Sequence, residues 1–212
     1  MNIVIGIIIA DSNEINEFEF PITNTIKINQ FEFNTYKIAN KQVVVVHSGI
    51  GITNAAAATQ ELISSYKVSE IYNYGAVGGD SEVRVYDLIA PKKIFFHDVT
   101  TPWYPRGQTP GEDKFYLNDL FLEKSNNLGS GSSFLTDIKQ IEKVKKEIDV
   151  NIFDMETAAI AQIAKKNNIK LYVIKCVSDA IGKDLNGLGT INERISKAGL
   201  IAFNKTIELI SS

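Results

Sequence analysis

Along this chain, apolar runs that stop at glycines or carboxylates alternate with stretches of helical periodicity. "NIVIGIII" (2–9) is a continuous β-branched run, as expected of a strand covered on both faces. "TIKINQF" and "FNTYKIA" alternate apolar with polar residues and lie close together, which predicts an antiparallel pair. "QVVVVHSG" is a second buried run. It breaks at Gly49 and Gly51 and leads into "TNAAAATQELISSY", a strong helix former with Thr53 or Asn54 as expected N-cap. "EIYNYGAVGG" predicts a strand with a glycine-rich stop. "DLIAPKKIFFHDVT" predicts another, with Pro91 pointing to an irregular or edge position. Residues 99–114 hold the only tryptophan and three prolines and predict a long loop. "GSGSSFLTD" ends a strand, and Asp137 with Gln140 suggests a capping box for "IKQIEKVKKEI". "VNIFDM" precedes the helix "ETAAIAQIAKKNN", "KLYVIKCVSD" is the last strand, and 191–211 closes the chain as a helix. Strands alternating with helices make this an α/β chain with a mostly parallel sheet, read as one domain over 1–212.

Composition narrows the function. With 212 residues and 44% hydrophobic content, one substantial core is expected. A formal charge of −3 and scattered lysines argue against a nucleic-acid partner. No apolar run reaches the roughly 18 residues of a membrane span. The N-terminal stretch has no basic segment or cleavage site, so a cytoplasmic location is expected. Cys176 is the only cysteine and reads as a core filler. His47 and His97 stand apart from it, so no metal-ligand set is expected. His47 reads as a core histidine; His97 precedes the loop and fits either a core or a site. "GIG" and "GAVGG" lack the dinucleotide and P-loop spacings, and "SGIG" is not a nucleophile elbow. No cofactor is expected.

The unusual residues fall at strand ends, where α/β sheets bind ligands. These are Asp11 and Glu14, Ser48 with Gly49 and Gly51, Gly75 with Gly78 and Gly79, Phe134, Met155 with Glu156, and Ser178 with Asp179. One carboxylate at such a place is ordinarily a helix cap; several in register suggest a site. In "IFDMETAAIAQ", Asp154 and Glu156 bracket Met155 at what should be a buried edge. Charges rarely sit there unpaired.

In order, these pieces resemble the nucleosidase and nucleoside phosphorylase superfamily, and most of all its bacterial 5′-methylthioadenosine/S-adenosylhomocysteine nucleosidases. The motifs are "IGIIIADSNE", "HSGIGITNAAAAT", "NYGAVGG", "FHDVTTPWYPRGQTPG", "FDMETAAIAQ" and "VSDAIGKD". The resemblance implies a three-layer α/β/α sandwich around a mixed, mostly parallel sheet. It also implies cleavage of a purine nucleoside's N-glycosidic bond. Asp179, oriented by Ser178, would be the general acid that protonates N7, and Glu14 the general base that activates water. Glu156 would hold the ribose hydroxyls over Met155, and Asp154 would play a supporting part. Phe134 would stack on the base, the Leu135 backbone would read its edge, and Ala76 and Ile50 would complete the substrate pocket.

Phosphorylases of this superfamily hold phosphate with arginines in the first turn and before the central glycine turn. Here those stretches read "ADSNE" and "YNYGAVGG", so water is the expected acceptor. Asp11 and the glycines of "IGKDLNGLGT" depart from the apolar 5′ pocket of the methylthioadenosine enzymes. Futalosine hydrolase and purine nucleoside phosphorylase therefore stay as alternatives, with a non-catalytic nucleoside-binding protein behind them. Trp103, Tyr104, Phe115 and Tyr116 are expected to be exposed in the loop. The resemblance implies a homodimer in which that loop closes the neighbour's site.

Overall fold

The computed structural model describes residues 3–14 and 18–212. Eleven strands form one mixed sheet among these residues. At its centre β1 (Val4–Ile9) runs parallel to β4 (Lys41–His47) on one side and to β5 (Glu70–Gly79) on the other. β2 (Ile22–Ile28) and β3 (Phe31–Ile38) form the expected antiparallel pair and extend the sheet past β4. β11 (Lys170–Ala180) lies parallel to β5 along its length. The other wing holds β10 (Ile152–Asp154), antiparallel to β5 and parallel to β9 (Leu128–Ser130). Next come β7 (Lys93–Phe96), parallel to β9, and the short antiparallel β8 (Tyr116–Leu117).

Strand alternation sorts the side chains into two layers. Ile5, Ile7 and Ile9 of β1 and Val43 and Val45 of β4 join Ala198, Ala202 and Phe203 of helix α4 (Ile191–Ser211). Ile8, Val44 and Val46 point the other way, onto α1 (Ile52–Tyr66) and α3 (Thr157–Lys166). This gives the three-layer sandwich. A smaller cluster of Phe95, Ile141, Val144 and Phe153 sits under α2 (Ile138–Lys145). No described helix is long and apolar enough to cross a membrane. Cys176 is fully buried in the layer beneath α4, as a core filler should be.

Several local expectations need correction. The run 87–100 is two strands: β6 (Leu88–Ile89) pairs with β11, while β7 pairs with β9. Pro91, with no N–H to donate, marks the point where the chain changes partner. Helix α1 starts one residue before Thr53, with Gly51 as its N-cap. Asp137 does cap α2, but through the Lys139 N–H. His47 is exposed, outside the core. Phe115 packs on Phe95 with ring centroids 5.5 Å apart, and Tyr116 is buried because β8 turns it into the core.

Candidate active site

The site grows out of a gap in strand pairing. β1 accompanies β5 only as far as Ile8 opposite Asn73, and β10 joins the strand at Gly78 and Gly79. Between them β5 has an edge whose N–H groups need acceptors. Glu14, in the 3₁₀ turn after β1, supplies one: its Oε1 accepts the Ala76 N–H at 2.7 Å. Two glycines make the fit possible. A Cβ on Gly75 would lie 2.7 Å from Glu14 Oε1, and one on Gly199 of α4 would lie 2.7 Å from both Glu14 Cα and its carbonyl oxygen. Glu14 is thus pressed between β5 and α4 and is buried. Burial raises its pKa to about 7, against the partial counter-pull of Lys175 and the Ala76 N–H.

Glu156 answers half of the puzzle posed by "IFDMETAAIAQ". Its Oε1 accepts the Gly51 N–H at 2.7 Å, so this carboxylate takes the place of the side-chain cap that α1 lacks. A helix N-terminus favours an anion there. Burial, then the charge of Asp154, still pushes Glu156 up to about 7. Asp154 answers the other half. It faces inward, with both its side chain and that of Lys175 only 4% exposed and the ion pair at 3.1 Å. Ser130 Oγ donates to it at 2.5 Å, and the Thr157 hydroxyl donates as well. Burial opposes its charge, but Lys175 and the two hydroxyls outweigh this and hold its pKa below the ordinary value. Asp154 is therefore held as an anion by Lys175 and the two hydroxyls while it also borders the cavity. Lys175 was not singled out from the sequence, although a lysine inside the apolar run "LYVIKCVSD" was the available signal: a buried charge calls for a partner.

Asp179 owes its direction to a bulge. The β11–β5 register shifts between Val177 and Asp179, so Ser178 is an extra residue. Bulges re-aim side chains beside sites. Ser178 Oγ donates to Asp179 Oδ1 at 2.7 Å. Oδ2 faces Gly78, where a Cβ would lie at 3.3 Å. Burial raises the Asp179 pKa, opposed by the Ser178 hydroxyl and by Arg194.

These groups share one cavity of about 150 Å³. Its walls include Glu14, Ile50, Ala76, Phe134, Met155, Glu156, Ser178 and Asp179, all expected from the sequence. Leu135 lines a contiguous space of about 20 Å³ that shares Phe134, Met155 and Asp179. Phe134, Leu135, Met155 and Asp179 therefore lie together where the cavity adjoins this space, which Asp11, Ile50 and Glu14 do not border. Phe134 stands at the mouth, 63% exposed. Ile195 of α4 and Val77 also line the cavity; as ordinary apolar residues they carried no signal in the sequence. His97 is buried below the loop 130–134, its ring against Gly131, and does not line the cavity. Among the described residues no arginine or lysine lines it.

The family model of the phosphorylase superfamily matches residues 4–202. A 5′-methylthioadenosine/S-adenosylhomocysteine nucleosidase of Halalkalibacterium halodurans is 32% identical over 200 residues, covering 85% of this chain and 87% of that protein. The same-named nucleosidase of S. pneumoniae, solved with a transition-state inhibitor, superposes with a TM-score of 0.88 at 25% identity, over 99% of each chain. The futalosine hydrolase of Helicobacter pylori shares the fold at a TM-score of 0.88 and 20% identity, over 99% of this chain and 98% of its own.

Proposed function

The chain belongs to the phosphorylase superfamily, and on that premise we propose that it is a purine nucleosidase, hydrolysing the N-glycosidic bond of a 5′-modified nucleoside of the methylthioadenosine and adenosylhomocysteine type. The observation that carries this reading is the convergence of Glu14, Glu156 and Asp179 on one cavity that no cation lines among the described residues.

Cleaving the bond leaves a ribosyl centre with cationic character and a purine that departs readily only when protonated at N7. Asp179 supplies that proton. Its Oδ1 already accepts from Ser178, so the acidic proton belongs on Oδ2. Burial keeps the carboxyl protonated to higher pH than an exposed aspartate. Phe134 and Leu135 sit at the same end and receive the base. Glu156 above Met155 accepts the ribose hydroxyls, since a carboxylate only accepts. Glu14, with a pKa of about 7, takes a proton from the water whose oxygen bonds to the anomeric carbon. Glu14 and Glu156 also place negative charge beside the developing cation. Among the described residues a phosphate dianion in this cavity would meet carboxylates and no bidentate partner, so water is the acceptor.

A second reading, a futalosine-type nucleoside with a polar 5′ group, is favoured by Asp11, a half-buried carboxylate that lines the cavity but does not border the space beside Leu135. Assembly as a twofold homodimer belongs to the same proposal. Trp103 is 80% exposed and Tyr104 40% exposed in the proline-rich loop, and exposed aromatics of this kind suit an interface. The test is base release from methylthioadenosine, adenosylhomocysteine, futalosine, adenosine and inosine, followed by chromatography. The thioether nucleosides should give the highest kcat/KM. Preference for futalosine would select the second reading, and no release from any of them would reduce the protein to a binder.

A further inference from the structure

Arg194 does not line the cavity, yet it is buried, with 9% exposure. It projects from the first turn of α4, which is fixed by a reciprocal capping box between Thr190 and Glu193. Its Nε donates to the Ser178 carbonyl at 3.0 Å, and its terminal nitrogen donates to the Gly189 carbonyl at 2.6 Å. The first of these carbonyls belongs to the peptide that leads directly into Asp179, within the bulge. The second ends the glycine-rich loop 181–189. One guanidinium therefore ties the bulge to the start of the helix whose next residue, Ile195, forms part of the cavity wall.

We infer that Arg194 is a positioning residue for Asp179: its rigid fork fixes the bulged Ser178–Asp179 dipeptide against α4 and sets the direction and charge environment of the acid. The inference rests on the reading of Asp179 as general acid. A buried cation is costly unless it is hydrogen-bonded, and these two carbonyls accept from it. A bulge has a locally interrupted ladder, so a donor that grips its backbone from outside the sheet restrains what the ladder does not. The groups around Asp179 are few. Ser178 faces it from β11, Gly78 from β5 and Arg194 from α4, while Glu14, Glu156, Asp154 and Asp11 share the cavity. Arg194 is the cation whose charge favours the ionised form of Asp179.

The test compares Arg194→Met and Arg194→Lys with the wild type in kcat, KM and the carboxyl titration of Asp179, followed by carbon-13 NMR and assigned with Asp179→Asn. Misplacing a reacting group by about 1 Å costs on the order of 10²-fold. Arg194→Met should therefore lower kcat by roughly 10- to 100-fold with KM little changed, and should move the Asp179 midpoint to higher pH. Arg194→Lys keeps the charge but cannot span both carbonyls, so the midpoint should return while kcat recovers only in part. A Met variant with unaltered kcat, or with lowered kcat and an unmoved midpoint, overturns the inference. If the Met variant does not fold, the Lys variant decides: reduced kcat with the midpoint in place supports it, and wild-type kcat overturns it. The two readings fail separately. An active Asp179→Asn removes the acid assignment, whereas an inactive Asp179→Asn beside a fully active Arg194→Met removes only the role of Arg194.

Discussion

Glu14 shows how one residue is held against its own preference. Its carboxyl titrates near 4.5 ordinarily and about 7 in the fold, because burial disfavours the ionised form. Between those values the folded state binds a proton that the unfolded state has lost. The resulting stability is fully present below about pH 4.5 and is lost as pH rises through 7. Glu14→Gln carries no such proton. The variant should be more stable than wild type at pH 8, by on the order of 3 kcal/mol, with the gap closing towards pH 5. Thermal melts at the two pH values check this, and a gap independent of pH would count against the buried, shifted carboxyl. The same variant should lose turnover, so stability and catalysis pull in opposite directions at this residue. Asp179→Asn keeps the shape and the Ser178 contact but has no acidic proton. Its kcat should fall by ~10²–10⁴ while a substrate analogue still binds, as isothermal titration would show. The cavity-lining carboxylates were legible because carboxylates at strand ends have few bland explanations when several occur together. Lys175 and Arg194 were harder to find, since what they do depends on partners far away in sequence: Asp154 for the first, and the carbonyls of Ser178 and Gly189 for the second.

The elements meet at glycines. α4 passes so close to the turn after β1 that Gly199 leaves no room for a methyl group between it and the Glu14 backbone. In an ordinary helix interior, Gly→Ala stabilises by up to about 1 kcal/mol. Here Gly199→Ala should destabilise by about 1–3 kcal/mol, because the atoms it would meet are Glu14 backbone atoms that cannot rotate away. It should also lower kcat about tenfold or more by shifting Glu14. A stabilised, fully active variant would show that α4 and the turn are not in this contact. At this scale the apolar periodicity predicted the long elements well: β1, β4, β5, β11, α1 and α4 lie where the runs are. It was less informative where tertiary structure decides. Pro91 divides a single apolar run between two sheet neighbours. Glu156 from α3's start caps α1, so the cap comes from far away in sequence and neither Thr53 nor Asn54 supplies it. The bulge at Ser178 leaves no mark in the strand pattern, because its cause is the pairing with β5.

For the molecule as a whole, assembly and reaction are linked through the loop that carries Trp103 and Tyr104 in the proposed dimer. Replacing Trp103 and Tyr104 with Ala should weaken both dimerisation and substrate binding if the loop completes a neighbour's site. Light scattering of dilute protein beside KM measurements tests this, and a fully active monomer would contradict it. Hydrolysis depends on three carboxylates in a cavity that, among the described residues, offers no cation to hold phosphate. Its most direct test is the product formed from methylthioadenosine in phosphate-free buffer and again with phosphate added. The expected result is free adenine and the free thio-sugar at equal rates in both buffers. Turnover that needs phosphate and yields a sugar 1-phosphate would contradict it.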